Sequence, residues 1–145
     1  MNVLVINGPN MNMLGIRQPH IYGAKTYAEL CSFIEFVCEE NDMDFSIFQS
    51  NSEGEIIDKI QSAYNNYDGI IINPAAYTHT SIAIPDAIKA VGIPTIEVHL
   101  TDISQREDYR RHSFTSEACI KTICGKGFDG YKEALLKLKE LVPDE

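Results

Sequence analysis

Apolar residues recur along this chain in two periods that alternate from one end to the other. Residues 2–7 are almost wholly apolar, as expected of a strand buried on both faces. Gly69-Ile70-Ile71-Ile72-Asn73 and Thr95-Ile96-Glu97-Val98-His99 read as two further strands, and shorter runs at 45–48 and 120–123 predict two more. Between them the spacing becomes helical. Leu30, Phe33, Ile34, Val37 and Cys38 fall on one helical face, as do Ile56, Ile57, Ile60, Ala63 and Tyr64. A third helix is predicted near 82–91, with Pro85 either in its first turn or kinking it, and a last one carries Tyr131, Ala134, Leu135, Leu138, Leu141 and Val142. Thr26-Tyr27-Ala28-Glu29 and Ser52-Glu53-Gly54-Glu55 are capping boxes that start the first two helices. Residues 8–25, with Gly8, Pro9, Gly15, Pro19 and Gly23, read as a long loop, and residues 100–116 are polar and irregular.

Five strand–helix units without a repeat or linker, in 145 residues, point to one α/β domain spanning 1–145. Alternation of this kind predicts a parallel sheet with helices on both faces. For five strands the flavodoxin-like order 2-1-3-4-5 is the leading expectation. Ligands then bind beyond the carboxyl ends of the strands, at the switch point between the loops after strands one and three.

Composition narrows the partners. The chain has 12 Lys+Arg against 21 Asp+Glu, a net charge of −9. That balance argues against nucleic acid and against anionic membrane surfaces. The 44% hydrophobic and 23% charged fractions are those of a globular protein. The run after Met1 is too short for a signal peptide or a spanning helix. Cys31, Cys38, Cys119 and Cys124 form no CxxC pair and show no metal-ligand spacing with His, so they read as small apolar residues in a reducing cytoplasm. The arginines alone are grouped: Arg17, then Arg106, Arg110 and Arg111. Guanidinium grips carboxylate and phosphate, so the grouping is either chance or a local anion site.

Polar residues collect where the fold predicts a crevice. Asn7 to Asn10 follow strand one, with Arg17 and Tyr22 further along that loop. Asn73 to Ser81, including His79, follow strand three, and Arg106 and Arg110 follow strand four. Each has a plain alternative: Asn10 as a turn residue, Tyr22 as a loop anchor, His79 as a helix cap, the arginines as surface partners of Glu107 and Asp108. Glu97 and His99 are two apart in a strand, so they point to the same side. A carboxylate inside an apolar strand is costly unless paired. His99 would pair it, and Glu97 would orient the imidazole for acid–base work. The chain has no G-x-S-x-G elbow, no P-loop and no G-x-G-x-x-G, and its histidines lack an obvious third metal ligand. Tyrosine, with a reference pKa of about 10, becomes a usable base only beside a cation such as Arg17. These residues point to a lyase or isomerase of a carboxylated metabolite.

Three stretches carry a closer resemblance. Residues 7–23, Asn7-Gly8-Pro9-Asn10-Met11-Asn12 through Ile21-Tyr22-Gly23, resemble the N-terminal signature of the type II 3-dehydroquinate dehydratases. Asn73-Pro74-Ala75-Ala76-Tyr77-Thr78-His79-Thr80-Ser81, with Asp86-Ala87-Ile88, is similar to that family's second motif. Glu97-Val98-His99-Leu100-Thr101, with Arg106-Glu107 and Arg110, is similar to its third. The resemblance implies reversible anti elimination of water from 3-dehydroquinate through an enolate, without metal or cofactor. It implies Tyr22 as the base, Arg17 holding it as phenolate and Asn10 positioning a water on the enolate oxygen. His99 would be the general acid, oriented by Glu97. Asn73, His79, Arg110 and the backbone around Leu100 and Thr101 would hold the substrate, while Asp86 would reach a neighbouring subunit's site. The family's loop carrying Arg17 and Tyr22 is a lid, and its members assemble as homo-oligomers, usually dodecamers built as tetramers of trimers.

Some positions depart from the family's usual pattern: Met11 and Met13 for leucine, Gln18 for glutamate, Ala75 for glycine, Pro85 before Asp86, and Asp102 for asparagine. Ala75 matters if its backbone needs positive φ. Asp102 adds a negative charge near the expected carboxylate site. The rival readings are a non-catalytic flavodoxin-like module and another lyase or isomerase. A phosphorelay receiver would need an acidic cluster after strand one and an aspartate ending strand three. A flavin module would need a Ser/Thr/Gly-rich phosphate loop. The chain has Asn7 to Asn10 and Asn73 instead.

Overall fold

The computed structural model describes residues 1–16, 20 and 25–143. Its centre is an all-parallel sheet of β1 (Asn2–Asn7), β2 (Asp44–Gln49), β3 (Gly69–Asn73), β4 (Thr95–His99) and β5 (Lys121–Cys124), in the order β2-β1-β3-β4-β5. The crossovers use α1 (Tyr27–Glu40), α2 (Glu53–Ser62) and α3 (Ala83–Val91), and α4 (Asp129–Leu141) follows β5. This is the expected α/β, flavodoxin-like architecture.

The continuous apolar runs have a direct cause. Val3 and Val5 of β1 point to the face covered by α1 and α4, where Leu30, Ile34, Val37, Leu135 and Leu138 are buried with Ile71, Ile96 and Val98. Leu4 and Ile6 point to the other face, beside Ile56 and Ile60 of α2 and Ile84 and Ile88 of α3. A strand covered on both sides has no polar face to alternate with.

Both capping boxes form their backbone bond. Thr26 Oγ1 accepts from the Glu29 N–H at 3.2 Å, and Ser52 Oγ accepts from the Glu55 N–H at 3.2 Å. Each is worth about 1 kcal/mol. Pro85 is the third residue of α3, where its missing N–H breaks no helical bond. Ser81, rather than His79, serves that helix start, its Oγ accepting from the Ile84 N–H at 3.0 Å. The polar stretch after β4 winds into short 3₁₀ turns, and the loop after β1 contains another at Met11–Met13. β5 begins one residue later than its hydropathy suggests. Ile120 is exposed, while Lys121 pairs with Ile96 and Cys124 reaches the level of His99.

Candidate active site

The site is built where β1 and β3 end side by side. Asn7 pairs with Asn73 in the sheet, and the next residue welds the two ends, since the Gly8 N–H donates to the Asn73 carbonyl at 2.8 Å. Only glycine fits there, because a Cβ would lie 2.5 Å from the Pro74 carbonyl oxygen. Asn10 then adopts a left-handed conformation (φ 68°), which asparagine tolerates. Its N–H donates to Asn51 Oδ1 at 3.0 Å. Gln49 Nε2 donates to the Gly8 carbonyl and to Asn51 Oδ1, both at 3.2 Å. Tyr77 Oη donates to the Asn51 carbonyl at 2.6 Å. The β2 loop thus fixes the backbone that presents Asn10.

Asn73 is fixed from beneath. Its Nδ2 donates to Tyr131 Oη at 3.1 Å, and its Oδ1 accepts from the Ala75 N–H at 3.1 Å. Tyr131, fully buried on α4, donates in turn to Asn7 Oδ1 at 2.6 Å. Burial pushes the Tyr131 phenol well above its ordinary value, so it stays protonated and keeps donating. Ala75 has φ 52°, the left-handed backbone for which glycine is the unstrained residue.

Glu97 and His99 lie on the central strand β4, both buried, and the Glu97 carboxylate is hydrogen-bonded to His99 Nε2. Glu97 is also reached by hydroxyls. Thr78 Oγ1 donates to Oε2 at 2.6 Å, and Ser113 Oγ lies 2.8 and 2.9 Å from the two carboxylate oxygens. Thr122 Oγ1 lies 3.3 Å from Oε1. Burial alone would push the Glu97 carboxyl up. The hydrogen bond and charge of His99, joined by the Thr78 and Ser113 hydroxyls, outweigh it and hold the group below its ordinary value. His79 Nδ1 lies 2.8 Å from the His112 carbonyl. A carbonyl only accepts, so Nδ1 carries the proton and Nε2 is the acceptor of the neutral ring. Burial, with the charges of His99 and Arg110, holds His79 below its ordinary value against the pull of that carbonyl.

A crevice open to solvent lies here, beyond the carboxyl ends of the strands. Asn10, Asn73, His79, His99, Leu100, Thr101, Arg106 and Arg110 all line it, with Glu97 directly behind His99. Arg106 and Arg110 share the Glu107 carboxylate, at 3.7 and 3.3 Å, while Arg111 turns outward to Asp108 at 3.0 Å. Asp102 caps the following 3₁₀ turn, accepting from the Ser104 N–H at 2.9 Å and Oγ at 2.6 Å. Asp86 is exposed on α3 and does not line the crevice. Arg17 and Tyr22 lie outside the described residues. Sequence reasoning missed the hydroxyls of Ser113 and Thr122 and the support from Tyr131, Gln49 and Asn51. Thr78 stood unremarked inside a quoted motif.

The described residues contain no cluster of three or more His, Cys, Asp or Glu placed to hold a metal ion. Comparison with known proteins agrees with the geometry. The family model for dehydroquinase class II matches residues 1–139. The 3-dehydroquinate dehydratase of Clostridium acetobutylicum is 55% identical over 142 residues, covering 98% of this chain and 99% of that protein. That of Wolinella succinogenes is 49% identical over 144 residues, covering 99% of this chain and 87% of that protein. The crystal structure of a type II dehydroquinase from Butyrivibrio crossotus superposes with a TM-score of 0.94 at 48% identity, covering 96% of this chain and 97% of that one. With its sheet order, its crevice and near-complete coverage in agreement, the chain belongs to the class II dehydroquinases.

Proposed function

We propose that this chain is a hydro-lyase that converts 3-dehydroquinate reversibly to 3-dehydroshikimate, a step of aromatic amino acid biosynthesis. The observation that carries the reading is a buried Glu97–His99 pair facing the same crevice as Asn10, Asn73, His79, Arg106 and Arg110, in a chain of this family.

The chemistry follows from the substrate. Its C2 proton lies alpha to the C3 ketone, so removal gives an enolate. Tyr22 takes that proton as a phenolate stabilised by Arg17. The electron pair moves into the enolate, whose oxygen is met by a water held by Asn10. The enolate then re-forms the ketone, the C1=C2 bond is made and the C1–O bond breaks. The departing hydroxyl takes a proton from His99 and leaves as water. His99 Nε2 is engaged by Glu97, which leaves Nδ1 to deliver that proton.

Arg110, with the backbone around Leu100 and Thr101, holds the substrate carboxylate, and Glu107 occupies the guanidiniums until substrate arrives. His79, neutral with Nε2 as acceptor, suits a hydroxyl of the ring, and Asn73 a second. The 145 residues act as one domain within a homo-oligomer, a dodecamer built from trimers. The exposure of Asp86 on α3, beside exposed Ile82 just before that helix, supports a role toward a neighbouring subunit. No helix among the described residues is long and apolar enough to cross a membrane, and four free cysteines suit a reducing cytoplasm.

The test is absorbance of the conjugated enone on adding 3-dehydroquinate to pure, folded protein. No product signal overturns the reading. Tyr22→Phe is expected to abolish turnover while leaving product binding nearly intact, and near-normal turnover in that variant rules out Tyr22 as the base.

A further inference from the structure

The carboxylate behind His99 is ringed by hydroxyls that come from three different segments. Thr78 follows β3, Ser113 ends the loop that carries the arginines, and Thr122 lies on β5. Ser113 is seated by construction. On one side of it His79 Nδ1 donates to the His112 carbonyl at 2.8 Å, and on the other the Phe114 N–H donates to the Thr78 carbonyl at 2.8 Å. The Ser116 N–H donates to Ser113 Oγ at 3.0 Å. That oxygen therefore accepts from behind, which leaves its proton for Glu97 or for Thr78 Oγ1 2.6 Å away, so the two hydroxyls face the carboxylate as a coupled pair.

A hydroxyl that donates to a carboxylate stabilises the ionised form and makes it a weaker base. Without such donors, a buried carboxylate hydrogen-bonded to an imidazolium pulls the shared proton toward itself and weakens the imidazolium as an acid. We propose that Ser113, together with Thr78, is a positioning residue for the general acid, holding Glu97 ionised and weakly basic so that the proton remains His99's to deliver. This rests on the dehydratase reading above.

The other ionisable groups facing the pair leave this role to the hydroxyls. His79, from the turn after β3, is held below its ordinary value mainly by burial and stays neutral. Arg110 lines the same crevice with a guanidinium, which donates and cannot accept. Burial pushes the Cys119 thiol up to about 12 and also raises Cys124 of β5, so both stay neutral.

The experiment measures kcat and KM for 3-dehydroquinate across pH for wild type, Ser113→Ala, Ser113→Thr and the nearly isosteric Thr78→Val. Product affinity, measured separately, reports an intact crevice. Losing one charge-assisted hydrogen bond corresponds to about one pH unit and about tenfold. Ser113→Ala and Thr78→Val are expected to lose about tenfold in kcat, with KM and product affinity within about twofold, and to move the alkaline limb of the kcat profile upward. Ser113→Thr, which keeps the hydroxyl, is expected to recover most of the rate. A merely structural role would lower kcat equally at every pH and leave the limb in place, which overturns the proposal. If Ser113→Ala fails to fold, Thr78→Val decides by the same readout. A wild type that forms no enone sinks the dehydratase reading itself. An active wild type matched in rate and profile by both hydroxyl-free variants sinks this inference alone.

Discussion

Gly8→Ala probes the joint on which the crevice stands. A Cβ built at Gly8 lies 2.5 Å from the Pro74 carbonyl oxygen, 2.7 Å from its carbon and 3.2 Å from the Asn73 carbonyl oxygen. Ordinary contacts begin near 3.5 Å, so the two strand ends must part by about 1 Å. The atoms in the way are backbone and cannot rotate aside. Overpacking of this kind costs about 1–3 kcal/mol. Stretching the 2.8 Å bond from the Gly8 N–H to the Asn73 carbonyl costs about 1 kcal/mol more. The stiffer unfolded chain returns about 0.5–1 kcal/mol. The net is a loss of about 1–3.5 kcal/mol, or a Tm lowered by about 3–10 °C for a chain of this size. Because Asn10 is only two residues away, a displacement of that order is expected to cost about 10–100-fold in kcat. Gly54→Ala is the matched control. Its Cβ would meet only Ser52 Oγ, at 3.8 Å, so it is expected to gain about 0.5 kcal/mol. Thermal melts and enone kinetics on both variants settle the matter. A Gly8→Ala protein that melts within about 2 °C of wild type at full kcat refutes the welded joint.

Three further changes probe the layer around this joint. Ala75→Gly relieves the φ of 52° and is expected to stabilise the fold by a few tenths to about 1 kcal/mol in urea unfolding; a lower midpoint would show that no strain is held there. Tyr131→Phe strips the buried Asn7 and Asn73 amides of their shared partner and is expected to cost about 2–4 kcal/mol, with an unchanged urea midpoint as the contrary result. Glu97→Gln is expected to reduce kcat by about 100-fold while sparing product binding, which activity and binding assays together check. Because the folded Glu97 carboxyl sits below its unfolded value of about 4.3, its contribution to stability is full above that value and lost as pH falls through the folded one. Acid titration of stability is therefore expected to be flatter in Glu97→Gln than in wild type, and identical curves would contradict the assignment.

How much of this was legible beforehand depended on what carried the information. The parallel sheet followed from helical and strand periods alternating along the chain, its order 2-1-3-4-5 was the leading expectation for five strands, and the switch point followed from that order. Glu97 and His99 were legible because a period of two puts neighbours-but-one on one side of a strand, and because a carboxylate among isoleucines and valines demands a partner. The remaining partners of that carboxylate were not legible. Thr78, Ser113 and Thr122 stand 19, 16 and 25 residues from Glu97, and each is a common residue in a segment with its own local reason to be polar. Tyr131 stands 124 residues from Asn7 and contributes to an apolar helix face, so its ring concealed its hydroxyl. Ala75 was open to suspicion only through the family's glycine, since alanine itself gives no sign of a left-handed backbone. Local spacing thus exposes Glu97 and His99, residue types uncommon in a buried strand and only two positions apart. Their other partners are common residues gathered by topology, so a reading of the sequence alone shows the pair while leaving open what surrounds its carboxylate.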